Sequence, residues 1–305
     1  MTADILLDAR NLTCVFGRHR AVSNLSLRVR RGECLGLLGV NGAGKSSTLK
    51  MLGGVMAPRL GQVLVGGFDL QRAPLEARAQ LGYLPDVPPL FTDMNVRDYL
   101  GFCAALRAVA DRQRAVESAA ARCDLQEVMG REIRTLSKGY QQRIGIAQAI
   151  VHDPSVLILD EPSVGLDPRQ LRDMRSLVKT LAADRAVVLS THLLAEVEHL
   201  CTHVAIIHRG LLVHEAGVAT GDSLLRLVVR DATLEPARLV NIPGVLSASP
   251  AGQGCWLLAV HDEVVAEEIA RVAVAEAWGL RRLEAVGSPL EETFLSLTVR
   301  EPPSC

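Results

Sequence analysis

The stretch Gly39-Val40-Asn41-Gly42-Ala43-Gly44-Lys45-Ser46-Ser47 satisfies the spacing G-x-x-x-x-G-K-[ST]. Those residue types in that order can hold phosphate. Glycines let the backbone curl so that successive N–H groups point inward, and the positive end of a following helix adds to the cradle. Lys45 would then reach the β- and γ-phosphates of a nucleotide, and Ser46 would set its hydroxyl on Mg²⁺. The flanks have the required character. Residues 34–38 read as a strand buried on both faces, and residues 48–55 place Leu49, Leu52 and Val55 about one helical turn apart. A glycine-rich turn that binds nothing is the competing reading, and this context disfavours it.

A second group of chemical residues closes the apolar run Val156-Leu157-Ile158-Leu159-Asp160-Glu161. Parallel α/β sheets place chemistry at the C-terminal ends of such strands. Asp160 could bind Mg²⁺ and Glu161 could polarise an attacking water, or the two carboxylates could simply cap the next turn. Residues 186–189 read as another buried strand, ending in Ser190-Thr191-His192. His192 could donate to a γ-phosphate, although a lone histidine is ordinarily structural. Leu136-Ser137-Lys138-Gly139-Tyr140 opens a helix over residues 141–151, with Ser137 as cap. That N-terminus is either a second anion surface or an ordinary cap. Phe16, before Gly17, is either a platform for stacking a nucleobase or a core residue.

The elements that must position these groups can be read in outline. Residues 5–15 and 24–30 look like strands, the second alternating Leu25, Leu27 and Val29 with polar neighbours. A proline-rich bend at residues 87–89 opens a helical subdomain over about residues 87–152, in which Asn95 caps a helix at 96–107 and a second spans 111–123. From residue 222 to 305 the pattern changes to a small α+β domain: strands at 224–230, 256–260 and 280–285, an amphipathic helix at 263–278, and a capping box at Ser288-Pro289-Leu290-Glu291 opening a last helix.

The 305 residues are 49% hydrophobic with a net charge of −1, enough for about two domains and giving no global argument for a nucleic-acid or anionic-membrane partner. The seven cysteines are scattered without a C-x-x-C pair, as expected of reduced thiols in a cytosolic chain. No stretch approaches the roughly 18 to 20 apolar residues that span a bilayer.

Taken in order, these motifs over residues 1–221 resemble the nucleotide-binding domain of ATP-binding cassette (ABC) transporters. The resemblance implies a mixed sheet with an antiparallel β subdomain and a helical signature subdomain, followed by the small α+β domain. It makes residues 39–47 Walker A, Asp86 the Q-loop position, residues 136–140 the signature, residues 156–161 Walker B, His192 the switch histidine and Phe16 the adenine-stacking aromatic. Residues 163–167 look like the D-loop. LSKGY for the commoner LSGGQ, the LGYLP lead-in and the closing LEETFL resemble the ATPase subunits of ABC-2 type exporters. Val40 stands where Walker A usually has proline. Asp86 stands where the family has Gln or Glu, one methylene longer, so its carboxylate sits about 1.5 Å nearer the backbone and would meet Mg²⁺ through a water.

By that resemblance ATP and Mg²⁺ are bound between two copies, a homodimer in which Ser137, Lys138, Gly139 and Tyr140 of one face the Walker A loop of the other. Lys45, Glu161 and His192 are the catalytic residues, and a separately encoded membrane permease is the partner, on the cytoplasmic face of the membrane. The competing class is a soluble ABC ATPase acting on nucleic acid or ribosomes, against which stand the absence of a coiled-coil insertion, a tandem cassette or a basic extension. A regulatory module without turnover is disfavoured by Lys45, Asp160, Glu161 and His192 being intact.

Overall fold

Alternation along the first thirty residues makes an antiparallel hairpin. In β2 (His19–Arg30), which pairs with β1 (Ile5–Phe16), Val22, Leu25, Leu27 and Val29 are buried while Asn24, Ser26, Arg28 and Arg30 are exposed. That is the period of a sheet with one wet face. The computed structural model describes residues 4–218, 223–231, 234–260, 265–286 and 289–298, in two compact units, Met1–Val218 and Ala219–Cys305.

In the first unit β3 (Cys34–Leu38) is buried along its whole length and leads through the glycine-rich loop to α1 (Lys45–Leu52). β4 (Leu60–Val65) and the two-residue β5 (Phe68–Asp69) extend the hairpin to an antiparallel sheet ordered β2-β1-β4-β5. After α2 (Pro74–Ala79) and β6 (Leu81–Leu84) come α3 (Val96–Leu106), α4 (Arg112–Arg122) and α5 (Lys138–Ile150). Asn95 and Asp111 cap the first two of these, accepting from the N–H groups of Asp98 and Arg114. The chain returns through β7 (Val156–Asp160), α6 (Pro168–Ala182), β8 (Ala186–Thr191), α7 (Leu194–Leu200), β9 (His203–His208) and β10 (Leu211–Gly217).

The central sheet runs β10-β9-β3-β8-β7-β6, parallel except for the edge strand β10. Its register sets Leu38 beside Thr191 and Ser190 beside Asp160, so three chemistry-bearing strand ends are neighbours. The apolar side of α1 (Leu49, Met51, Leu52) fills the core shared by the two sheets, against Leu12, Val63, Leu35 and Ile158.

Two helix boundaries differ from the sequence expectation. Spacing predicts the helix after the loop at 48–55, but it begins at Lys45, because Gly44 at φ 110° turns the chain straight into the first turn. It ends at Leu52, leaving Val55 outside and 62% exposed. The signature helix starts at Lys138, directly after the cap expected at Ser137, whose hydroxyl accepts from the Tyr140 N–H at 3.4 Å.

α5 and the turn that follows it are tied to β6: Gln148 donates to the Tyr83 carbonyl at 3.0 Å, and the His152 Nε2 lies 3.1 Å from the Leu81 carbonyl. Burial, with Arg107 adding repulsion, pushes the His152 pKa from 6.5 down to about 4, and its Nδ1 is buried without a partner. Between those values the unfolded chain binds the proton and the folded chain does not, so stability falls as pH drops from about 6.5 to about 4. His152→Gln keeps a donor for Leu81 without titrating. Urea melts at pH 7 and pH 4 should show the wild type losing about 2 to 3 kcal/mol more than the variant; equal losses would contradict the buried neutral histidine.

The second unit contains β11 (Ser223–Val229), α8 (Pro236–Val240), β12 (Val245–Gly252), β13 (Cys255–Val260), α9 (Val265–Ala275), β14 (Leu280–Val286) and α10 (Pro289–Thr298). The antiparallel order β12-β13-β11-β14 is that of a split β-α-β fold. Leu225, Leu227, Trp256, Leu258, Ile269 and Trp278 make its core. The helix expected at 263–278 is observed over Val265–Ala275, and the capping residue Ser288 lies outside the described residues.

Candidate nucleotide site

The glycine-rich loop is held tightly against its neighbours. A Cβ on Gly39 would lie 2.4 Å from the Ile207 carbonyl oxygen, and one on Gly44 would lie 2.5 Å from that of Ala21. Gly44 offers the first turn of α1 no side-chain cap, so the N-terminal N–H groups remain for a ligand. Lys45 is 7% exposed and donates to the carbonyls of Gly39 at 2.7 Å and Val40 at 3.4 Å, which fixes its ammonium inside the loop. Burial lowers its pKa, while the nearby Glu161 and Asp160 carboxylates oppose that shift.

Across from the loop, the ends of β7 and β8 are locked together. The buried Ser190 hydroxyl donates to Asp160 Oδ1 at 2.6 Å and accepts from the Glu161 N–H at 3.0 Å. Burial raises the Asp160 pKa, the Ser190 hydrogen bond lowers it and Asp86 raises it further. Glu161 adopts a left-handed backbone at φ 48°, a conformation that costs a non-glycine residue about 1 kcal/mol or more and persists only where neighbours enforce it. In this conformation Glu161 Oε2 sits 2.9 Å from Nδ1 of His192. The next hydroxyl, Thr191 Oγ1, donates to the fully buried Glu196 at 2.6 Å and accepts from the Leu193 N–H at 3.0 Å, pinning both sides of His192.

Lys45, Asp160, Glu161 and His192 line a single cleft of about 520 Å³, bounded also by Phe16, His19, Ala21, the loop from Val40 to Ser47, Asp86 and Val164. Phe16 is 53% exposed at its mouth, so of its two sequence readings the core one does not hold. Asp86 is exposed and reaches the same cleft. Ser137, Gly139 and Tyr140 do not: they line a separate hollow with Asp167, Gln170 and Asp173. Lys138, beside them, lies against Gly165. Val164 belongs to the segment that resembles the D-loop, whereas the sequence reading assigns no role to His19 and Ala21, nor to Ser190, Thr191 and Glu196. The hydroxyl pair directly before His192 was the available signal.

The residues present suit a magnesium nucleotide. Ser46, Asp160 and Glu161 supply hard oxygen donors, as suits Mg²⁺ bound partly through phosphate and water, and the uncapped helix end with Lys45 supplies the anion site. A phosphate loop at the carboxyl edge of a mixed α/β sheet, facing paired carboxylates, defines a P-loop nucleotide-binding protein.

Residues 22–164 match the family described as ABC transporter. The chain is 34% identical over 212 residues to the bacitracin transport ATP-binding protein BcrA of Bacillus licheniformis, covering 69% of each. It is 30% identical over 309 residues to the linearmycin resistance ATP-binding protein LnrL of Bacillus subtilis, covering 97% of this chain and 99% of that one. A solved structure described as an ATP binding subunit of an ABC transporter superposes with a TM-score of 0.64 at 29% identity, over 70% of this chain and 90% of that chain. The chain belongs to the ATP-binding subunits of ABC transporters.

Proposed function

We propose that this protein is the ATP-hydrolysing subunit of an ABC-2 type exporter, and that its active site is completed between two copies. One observation carries the composite site: Lys45, Asp160, Glu161 and His192 converge in one cleft while Ser137, Gly139 and Tyr140 stand on another surface of the same chain. The cleft alone is half a site. The loop N–H groups and Lys45 bind the β- and γ-phosphates, and the exposed Phe16 ring stacks on adenine. Ser46 and Asp160, with Asp86 through a water, would hold Mg²⁺, which when bound neutralises charge on the phosphate oxygens. Glu161 accepts the proton of the attacking water. His192 holds Glu161 through Nδ1 and presents its Nε2 edge to the γ-phosphate.

Ser137 to Tyr140 of the second copy place a capped helix N-terminus against that same γ-phosphate. Catalysis is then mainly positioning and electrostatics. ATP favours the closed pair and hydrolysis loosens it. A separately encoded permease that senses closure alternates its access by a shift of population. Among the described residues no helix is long and apolar enough to cross a membrane, and in this reading the pathway belongs to the permease, with the ATPase on its cytoplasmic face. Relatives named for bacitracin transport and linearmycin resistance support export as the direction.

Affinity purification of the tagged chain from gently solubilised membranes tests this reading. A polytopic membrane protein is expected to copurify. Recovery of ribosomes or DNA in its place would overturn the transport reading.

A further inference from the structure

We propose that Ser190 is a positioning residue for ATP hydrolysis: its one hydroxyl ties the Asp160 carboxylate and the Glu161 backbone into the arrangement that presents Glu161 to His192. The inference rests on the reading of the cleft as an ATP hydrolysis site. Ser190 is fully buried and is not among the residues that line the cleft, so it acts through others.

A serine hydroxyl has one donor and two acceptor lone pairs. Here the donor goes to Asp160 Oδ1 at 2.6 Å and a lone pair takes the Glu161 N–H at 3.0 Å. The β7–β8 register sets Ser190 directly opposite Asp160, the last residue of β7. Glu161 then leaves the strand at φ 48°, where a ladder partner is lost, and Ser190 Oγ takes that partner's place. This left-handed turn sets Glu161 Oε2 2.9 Å from Nδ1 of His192. His192 is held independently by the contact of Thr191 with Glu196. Ser190 therefore governs the carboxylate half of the pair and leaves the histidine half in place. With alanine at this position the Glu161 N–H is unpaired and Asp160 loses a donor, so the turn relaxes toward ordinary backbone.

The test uses the full chain as wild type, Ser190→Ala and Ser190→Thr, because threonine keeps the hydroxyl and its branched side chain suits a strand. Ser190→Ala is expected to lower kcat roughly 10- to 100-fold, while the Kd for ATP stays within about threefold. Exchange of the Glu161 amide hydrogen should accelerate at least about tenfold. Ser190→Thr should recover most of kcat and slow that exchange again. Wild-type kcat and exchange in Ser190→Ala would overturn the proposal. So would a parallel loss of kcat, ATP affinity and melting temperature in both variants, which is what a merely structural role produces. If neither variant folds, exchange in the wild type decides: a protected Glu161 amide supports the lock, and one exchanging like an exposed loop overturns it. A folded wild type that does not hydrolyse ATP would overturn the underlying reading, a result distinct from an active enzyme indifferent to Ser190→Ala.

Discussion

Glu161→Gln is expected to bind ATP with nearly unchanged affinity and to hydrolyse it roughly 100- to 1,000-fold more slowly. The amide has the shape of the carboxylate, so the left-handed turn, the Ser190 hydrogen bond to its N–H and a contact with His192 Nδ1 can all persist. What disappears is the ability to take a proton from water. A loss of that size corresponds to about 3 to 4 kcal/mol of transition-state stabilisation. Single-turnover hydrolysis, with ATP binding measured separately by calorimetry, separates the two effects. Near-normal turnover would remove Glu161 from the mechanism.

Lys45→Ala should act on the other quantity. Lys45 is 7% exposed, its ammonium is held by the Gly39 and Val40 carbonyls of the loop, and it lines the cleft, so little reorganisation precedes its contact with phosphate. Truncating one partner of a buried charge contact weakens binding strongly, and the Kd for ATP should rise by roughly 100-fold. The helix and loop remain, since Gly44 and the Ala43 to Val40 hydrogen bond do not involve the side chain. Unchanged affinity in calorimetry, with an unchanged melting temperature, would contradict the phosphate-loop reading.

The parts of this fold legible in the sequence are those that local chemistry fixes. β3 and β7 show as unbroken apolar runs because both their faces are buried, and the Asn95 cap shows because its partner is three residues away. Periodicity marks the buried face of α1 and not the glycine turn that launches it, so the sequence pattern starts at residue 48 where the helix starts at Lys45. β10 was invisible for a different reason. It is an edge strand without buried residues, and its pairing with β9 follows from the Arg209-Gly210 turn, where both residues have positive φ. β12, with Ser247, Ser249 and Pro250, is likewise an edge strand that needs no apolar run.

The site divides along the same line. Lys45, Asp160, Glu161 and His192 stand in motifs whose spacing carries their chemistry. Ser190 bonds a carboxylate thirty residues away, a contact created by strand register alone. The separation of Ser137 to Tyr140 from the cleft is also a fact of the fold. In the proposed composite site it makes the helix cap, ambiguous as a local sequence, a surface that would require a second copy to reach the nucleotide.

That requirement is tested most directly by the mass of the Glu161→Gln protein in solution with and without saturating ATP and Mg²⁺, by analytical ultracentrifugation. A composite site gives a monomer without nucleotide and a dimer with it. Adding Ser137→Arg should leave one ATP bound per chain while abolishing the dimer. A chain that stays monomeric with ATP bound, or a dimer indifferent to Ser137→Arg, would contradict the composite site.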